Sequence, residues 1–276
     1  MLKIQIAHSP DADDAFMFYA LTQGKIPTNG VTFENVLCDI ETLNHEALKG
    51  TYDFTALSVA AVPEVAQHYR ISPVGASVGD NYGPMVVARE PLSLNSLRHI
   101  SIAVPGKKTT AFLALQLLLG NFSYVVIPFD QIVPSLLKGQ VTAGLLIHEG
   151  QLTYLRQQLY KVVDLGQWWF QKTGLPLPLG VNGIKRSLPK DLAQKSITLL
   201  SQSIDYALKH RDQALSYALR FSRNLPPHLA DRFVGMYVNH HTVQMGDSVK
   251  KAIALLLHQG YQRGFLNKAL EASLYS

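Results

Sequence analysis

Ile100-Ser101-Ile102-Ala103-Val104-Pro105-Gly106-Lys107-Lys108-Thr109-Thr110-Ala111-Phe112 reads as a strand, a Pro-Gly turn, a polar loop, two hydroxyl caps and the opening of an apolar helix. The same order occurs near the N-terminus. Leu2, Ile4 and Ile6 alternate as one face of a half-buried strand, and Ser9-Pro10-Asp11-Ala12-Asp13-Asp14 follows as a polar loop ending in good N-caps. A helix over 15–23 then opens on Ala15-Phe16 and stops at Gly24. Further on, Leu48-Lys49-Gly50 precedes a strand over 52–57, as Leu137-Lys138-Gly139 precedes one over 141–147. Two matches in one order, at similar offsets, imply two lobes of like architecture. A strand over 31–38 and a helix from Asp39 through Leu48 complete the strand–helix alternation of parallel α/β units.

Gly83-Pro84, the apolar run 85–88 and Glu90-Pro91 mark a crossing out of the first lobe. Gly174, Pro176, Pro178 and Gly180, leading into 181–184, mark the return. The expected division is therefore 1–88 and 180–276 for lobe 1 with its C-terminal helices, and 89–179 for lobe 2. Two crossings between α/β lobes make a hinged cleft, a preferred place for a small ligand. Helical patterns over 192–207, 212–221, 229–238 and 249–264 should pack back onto the first lobe.

Composition narrows the function classes. Of 276 residues, 47% are hydrophobic and 16% charged, which excludes a disordered chain. No apolar run reaches the ~18 residues of a membrane span, and the N-terminal residues carry no export pattern, so a cytoplasmic location is expected. One cysteine, Cys38, excludes an internal disulfide framework and a Cys-based zinc site. The formal charge is +5, but the cations pair only at Lys107-Lys108, Lys185-Arg186 and Lys250-Lys251, unlike the basic stripe of a nucleic-acid binder. A small anionic partner fits better.

The Pro105–Thr110 loop is the first candidate site. A helix N-terminus presents free N–H groups to a carboxylate or phosphate, and Thr109, Thr110, Lys107 and Lys108 would add hydroxyls and charge. The alternative is an ordinary threonine cap with solvated lysines. His148 is the second candidate, since it ends the 141–147 strand where parallel sheets host ligands. A histidine can act there as general base or merely hydrogen-bond. Zinc is disfavoured, because Leu152 stands where His-Glu-x-x-His needs its second histidine. Ser58 reads more simply as a cap than as a ligand donor, and no Gly-x-Ser-x-Gly elbow surrounds it. Asp11, Asp13 and Asp14 fit caps and a solvated acidic turn as well as a cation site. His240 and His241 should face different ways on a helix. Trp168-Trp169-Phe170 reads as packing.

Taken together, several segments resemble the 1,4-dihydroxy-6-naphthoate synthase family of the futalosine route to menaquinone. They are residues 9–16, Asp39-Ile40-Glu41-Thr42-Leu43-Asn44, Val104-Pro105-Gly106 with Thr109-Thr110, Ile147-His148-Glu149, Val163-Asp164-Leu165-Gly166, residues 173–180 and Tyr237-Val238-Asn239. The resemblance implies a two-lobed fold of the periplasmic-binding-protein type used as a lyase, with no cofactor. The implied substrate is cyclic dehypoxanthinyl futalosine, and the implied products are 1,4-dihydroxy-6-naphthoate and a small sugar-derived fragment, dihydroxyacetone. It assigns the base to His148 and ligand contacts to Ala56, Leu57, Ser58, Thr109 and Thr110. Ala56 stands where a better-known member has a lysine, and Asp11-Ala12-Asp13 where some members have Cys-Pro-Asn. The competing expectations are a cytoplasmic carboxylate-binding or sensor protein of this fold, and the sister enzyme chorismate dehydratase.

Overall fold

Residues 2–222 and 225–270 are described by the computed structural model of the chain. The first sheet is built from β1 (Leu2–His8), β2 (Val31–Leu37), β3 (Phe54–Ser58), β4 (Tyr69–Ile71) and β5 (Ser77–Gly79), with helices α1 (Ala12–Thr22), α2 (Ile40–Ala47) and α3 (Val62–Val65) between them. The second sheet holds β6 (Met85–Ala88), β7 (Ile102–Val104), β8 (Tyr124–Val126), β9 (Ala143–Leu146) and β10 (Tyr160–Asp164), with α4 (Thr110–Leu119), α5 (Phe129–Leu137) and α6 (Gly150–Thr153). After α7 (Leu165–Thr173), β11 (Leu177–Lys185) returns to the first sheet. Helices α8 (Lys190–Lys209), α9 (Arg211–Ala218), α10 (Pro227–Tyr237), α11 (His240–Val243) and α12 (Asp247–Gln262) follow.

The repeat expected from sequence is visible in the strand order. The first sheet runs β2-β1-β3-β11 and the second β8-β7-β9-β6 along matching paths. In each, three strands are parallel and the fourth, which carries the chain across, is antiparallel. The sheets are therefore mixed rather than purely parallel. A strand arriving from the other lobe needs no helical crossover, and so is free to run the opposite way. Sheet membership also puts Met85–Ala88 with the second sheet, beside β9 and β10, and Leu177–Leu179 with the first. The crossings lie a few residues earlier than the 88/89 and 179/180 divisions.

Several boundaries shift for local reasons. Helix α1 begins at Ala12 rather than residue 15, because Asp11 caps it by accepting from the Asp14 amide. Asp13 and Asp14 then occupy the first turn, where carboxyls suit the helix dipole. Strand β11 extends back through Pro178, which sits at a register shift against the short strand β5. A bulge tolerates a residue that cannot donate to the ladder.

Helices α1, α8, α9 and α10 share one core with β1, around Phe16, Phe18, Ile204 and Phe233. The expected packing of the tail on the first lobe holds for these helices. Helix α12 differs: Val249, Ile253, Leu256 and Leu257 join the cluster of Leu113 and Leu117 of α4 and Ile102 of β7. It thereby touches both lobes, through β11 and α4. Among the described residues no helix is long and apolar enough to cross a membrane.

Candidate functional site

The carboxyl ends of β1 and β3 face those of β7 and β9 across a cleft of about 710 Å³, its open mouth included. Each strand end delivers a short polar loop, and the loops line the cleft. Ser58 and Thr109 line this one space from the two sheets, together with Ala56, Leu57, Thr110 and His148.

Thr109 is the N-cap of α4: its hydroxyl accepts from the Phe112 amide at 3.2 Å and donates to the Gly106 carbonyl at 2.9 Å. The Thr110 hydroxyl donates to the Leu179 carbonyl at 2.6 Å and accepts from the Ala60 amide at 3.2 Å, tying α4 to the first lobe. Both hydroxyl protons are spent on structure. What the helix keeps for a ligand is the pair of first-turn amides, Thr110 and Ala111, which have no intrahelical acceptor. The lysines do not contribute the expected charge. Lys108 Nζ pairs with Glu64 at 2.5 Å, Lys107 Nζ lies over the Tyr124 ring, and neither lines the cleft. The Lys108 amide donates to Glu41 at 3.0 Å, so a carboxylate from α2 already answers this loop. Burial pushes the Glu41 carboxyl up, and the Lys108 and Lys107 amides pull it back.

Ser58 is not a cap; the turn after it has no side-chain cap bond. Buried Asn44 holds it instead, accepting from the Ser58 amide and donating to its hydroxyl, both at 2.9 Å. The hydroxyl proton of Ser58 is left to donate. Ala56 packs with Ala7 and Leu43, an apolar wall where a lysine was the alternative.

His148 follows β9 with a backbone φ of +53°, a left-handed conformation uncommon for a residue with a Cβ. Phe129 holds its ring edge-on, with centroids 4.9 Å apart. Its Nδ1 lies 2.9 Å from Asp11 Oδ2.

The acidic turn is buried rather than solvated: Asp11, Asp13 and Asp14 are 2%, 7% and 9% exposed. Their oxygens gather within 4.8 Å of one another. Burial, then the charges of Asp11 and Asp14, push the Asp13 carboxyl well up. Burial and Asp11 do the same to Asp14, although the Ser9 amide donates to it at 2.8 Å. His8, stacked on Phe18, is held neutral by burial, which lowers its affinity for a proton.

Asn182, Tyr237 and Gln151 also line the cleft, and the sequence analysis gave them no role. Asn182 donates to the Gly75 carbonyl at 2.9 Å, while its buried Oδ1 has no partner among the described residues. An asparagine inside an apolar strand was the available signal. Tyr237 donates to Gln151 Oε1 at 2.8 Å, joining α10 to α6 across the cleft. The His240 and His241 rings lie 3.8 Å apart, contrary to the expectation that they diverge. They open a four-residue helix capped by Asn239, too short to impose full helical spacing. Trp169 is fully buried and donates to the Pro176 carbonyl, as a packing residue should.

Two α/β lobes with a ligand-sized cleft at facing strand ends define the architecture of the periplasmic binding proteins. The alkanesulfonate-binding protein of Xanthomonas axonopodis pv. citri shares it, with a TM-score of 0.74 at 13% identity over 97% of this chain and 95% of that one. A protein from Archaeoglobus fulgidus aligns at a TM-score of 0.92 and 45% identity, covering 96% and 98%. The 1,4-dihydroxy-6-naphtoate synthase of Thermus thermophilus is 39% identical over 264 residues, 96% of each chain. The family model described as "Menaquinone biosynthesis" matches residues 4–262, and the chain belongs to that family.

Proposed function

We propose that the chain is a 1,4-dihydroxy-6-naphthoate synthase. It takes cyclic dehypoxanthinyl futalosine and releases 1,4-dihydroxy-6-naphthoate and a small sugar-derived fragment, dihydroxyacetone, by carbon–carbon cleavage in the cytoplasm. The observation that carries this reading is that His148 and the open first turn of α4 line the same cleft. The substrate carboxylate lies at the amides of Thr110 and Ala111, where the helix dipole favours an anion. Thr109 shapes that turn, and the Ser58 hydroxyl donates from the opposite wall. Ala56 and Leu57 form the apolar surface beside the ring system.

His148 accepts a proton as the bond to the sugar-derived fragment breaks. Aromatisation of the new ring supplies the driving force, so a positioned base in the cleft suffices. His148→Asn keeps the size of the side chain but cannot accept the proton. Turnover should fall by about 10²–10⁴-fold, the usual worth of a general base. Binding of 1,4-dihydroxy-6-naphthoate, measured by calorimetry, should stay within a few-fold of the parent. An Asn variant that turns over at the parental rate contradicts the role.

A further inference from the structure

We propose that Asp11 is the positioning residue for His148, reaching it across the cleft from the opposite lobe. Asp11 follows β1 of the first sheet and His148 follows β9 of the second, and Asp11 Oδ2 stands 2.9 Å from His148 Nδ1. Two groups converge on this one carboxylate: the Asp14 amide caps onto Oδ1 at 3.3 Å, and the imidazole meets Oδ2 at 2.9 Å. Hydrogen bonds accepted by a carboxylate favour its charged form.

A carboxylate at Nδ1 fixes the neutral ring with its proton on Nδ1 and its lone pair on Nε2. It also stabilises the imidazolium that forms when Nε2 takes a proton. The left-handed backbone at His148 and the edge-on Phe129 ring also set the orientation of the imidazole. Because the two residues belong to different lobes, the base is in register when the lobes bring Asp11 against His148, as they do here.

This role presupposes that His148 is the base, and Asp11→Asn tests it separately. Asparagine caps helices as well as aspartate, so α1 keeps its first turn. In the full-length variant kcat should fall by about 10²–10⁴-fold, with KM within about threefold of the parent. The double variant with His148→Asn should be no slower than His148→Asn alone, because the two act as one unit. Two-bond ¹⁵N–¹H spectra of histidine-labelled protein should show the His148 proton on Nδ1 in the parent and displaced from it in Asp11→Asn. Parental kcat together with an unchanged His148 tautomer would overturn the proposal while leaving the base in place. If His148→Asn itself keeps parental turnover, the base role fails instead. The spectra then decide alone: an unchanged tautomer in Asp11→Asn still rejects a positioning carboxylate.

Discussion

Asp11, Asp13 and Asp14 sit within one turn of chain, and burial pushes the Asp13 and Asp14 carboxyls up. The unfolded chain loses its aspartate protons near pH 4. Folded Asp13 holds its proton to higher pH, because burial and the Asp11 and Asp14 charges oppose ionisation. Folding therefore takes up a proton between those two values. The contribution of this group is full below about pH 4 and erodes as pH rises toward the folded value. His8 works in the opposite sense, since a histidine buried neutral costs stability as pH falls below about 6.5. Asp13→Asn removes the first effect and keeps the second. The melting temperature of the variant minus that of the parent should rise in thermal scans as pH increases above about 4. A difference that stays flat contradicts a protonated Asp13. The sequence shows three acids and a capping position; it does not show that the turn is buried. Enclosure comes from His148 and Glu149 and from helices α8, α9 and α10, which are distant in the chain, so no local pattern could report it.

At the level of elements, the crossing between lobes depends on a close approach that only glycine permits. Asp164 caps α7, accepting from the Gly166 amide at 2.9 Å, and the Leu165 amide donates to the Pro84 carbonyl at 2.8 Å. The chain at Tyr82 and Gly83 consequently lies against Gly166, where an added Cβ would collide with the Tyr82 carbonyl and the Gly83 amide. Backbone cannot step aside as a side chain can. Gly166→Ala should cost at least about 1–3 kcal/mol, the range for overpacked sites. That corresponds to roughly 2–4 °C of melting temperature per kcal/mol at this chain length. A melting temperature equal to the parent would mean that the crossing is looser than described here. The elements themselves were largely legible: caps at Asp39 and Thr109 and stops at Gly24 and Gly50 fall where spacing puts them. The start of α1 and the backward extension of β11 were not. A carboxyl three residues upstream outweighed the later caps in the first case. In the second, pairing with β5 drew a proline-containing segment into the sheet.

For the whole molecule, the repeated order of strand, proline, polar loop and helix implied two lobes, and the matched strand orders of the two sheets bear that out. The cleft followed from the repeat, since facing strand ends must lie where the lobes meet. The bonds that close it did not follow. Glu41 to the Lys108 amide, Lys108 to Glu64, Thr110 to Ala60 and Leu179, and Tyr237 to Gln151 all join segments far apart in sequence. These contacts take up the threonine hydroxyls and lysine charges that local reading had given to the ligand. The first-turn amides of α4, Ser58 and His148 are among the polar groups that line the proposed site. The fold is shared with the alkanesulfonate-binding protein, so architecture alone does not separate catalysis from capture. Incubation of the purified chain with cyclic dehypoxanthinyl futalosine, and in parallel with chorismate, separates them directly. Chromatography of the first mixture should show catalytic formation of 1,4-dihydroxy-6-naphthoate with an equal amount of dihydroxyacetone, and the chorismate should remain intact. Binding of the cyclic substrate without turnover, or dehydration of chorismate, would contradict the account.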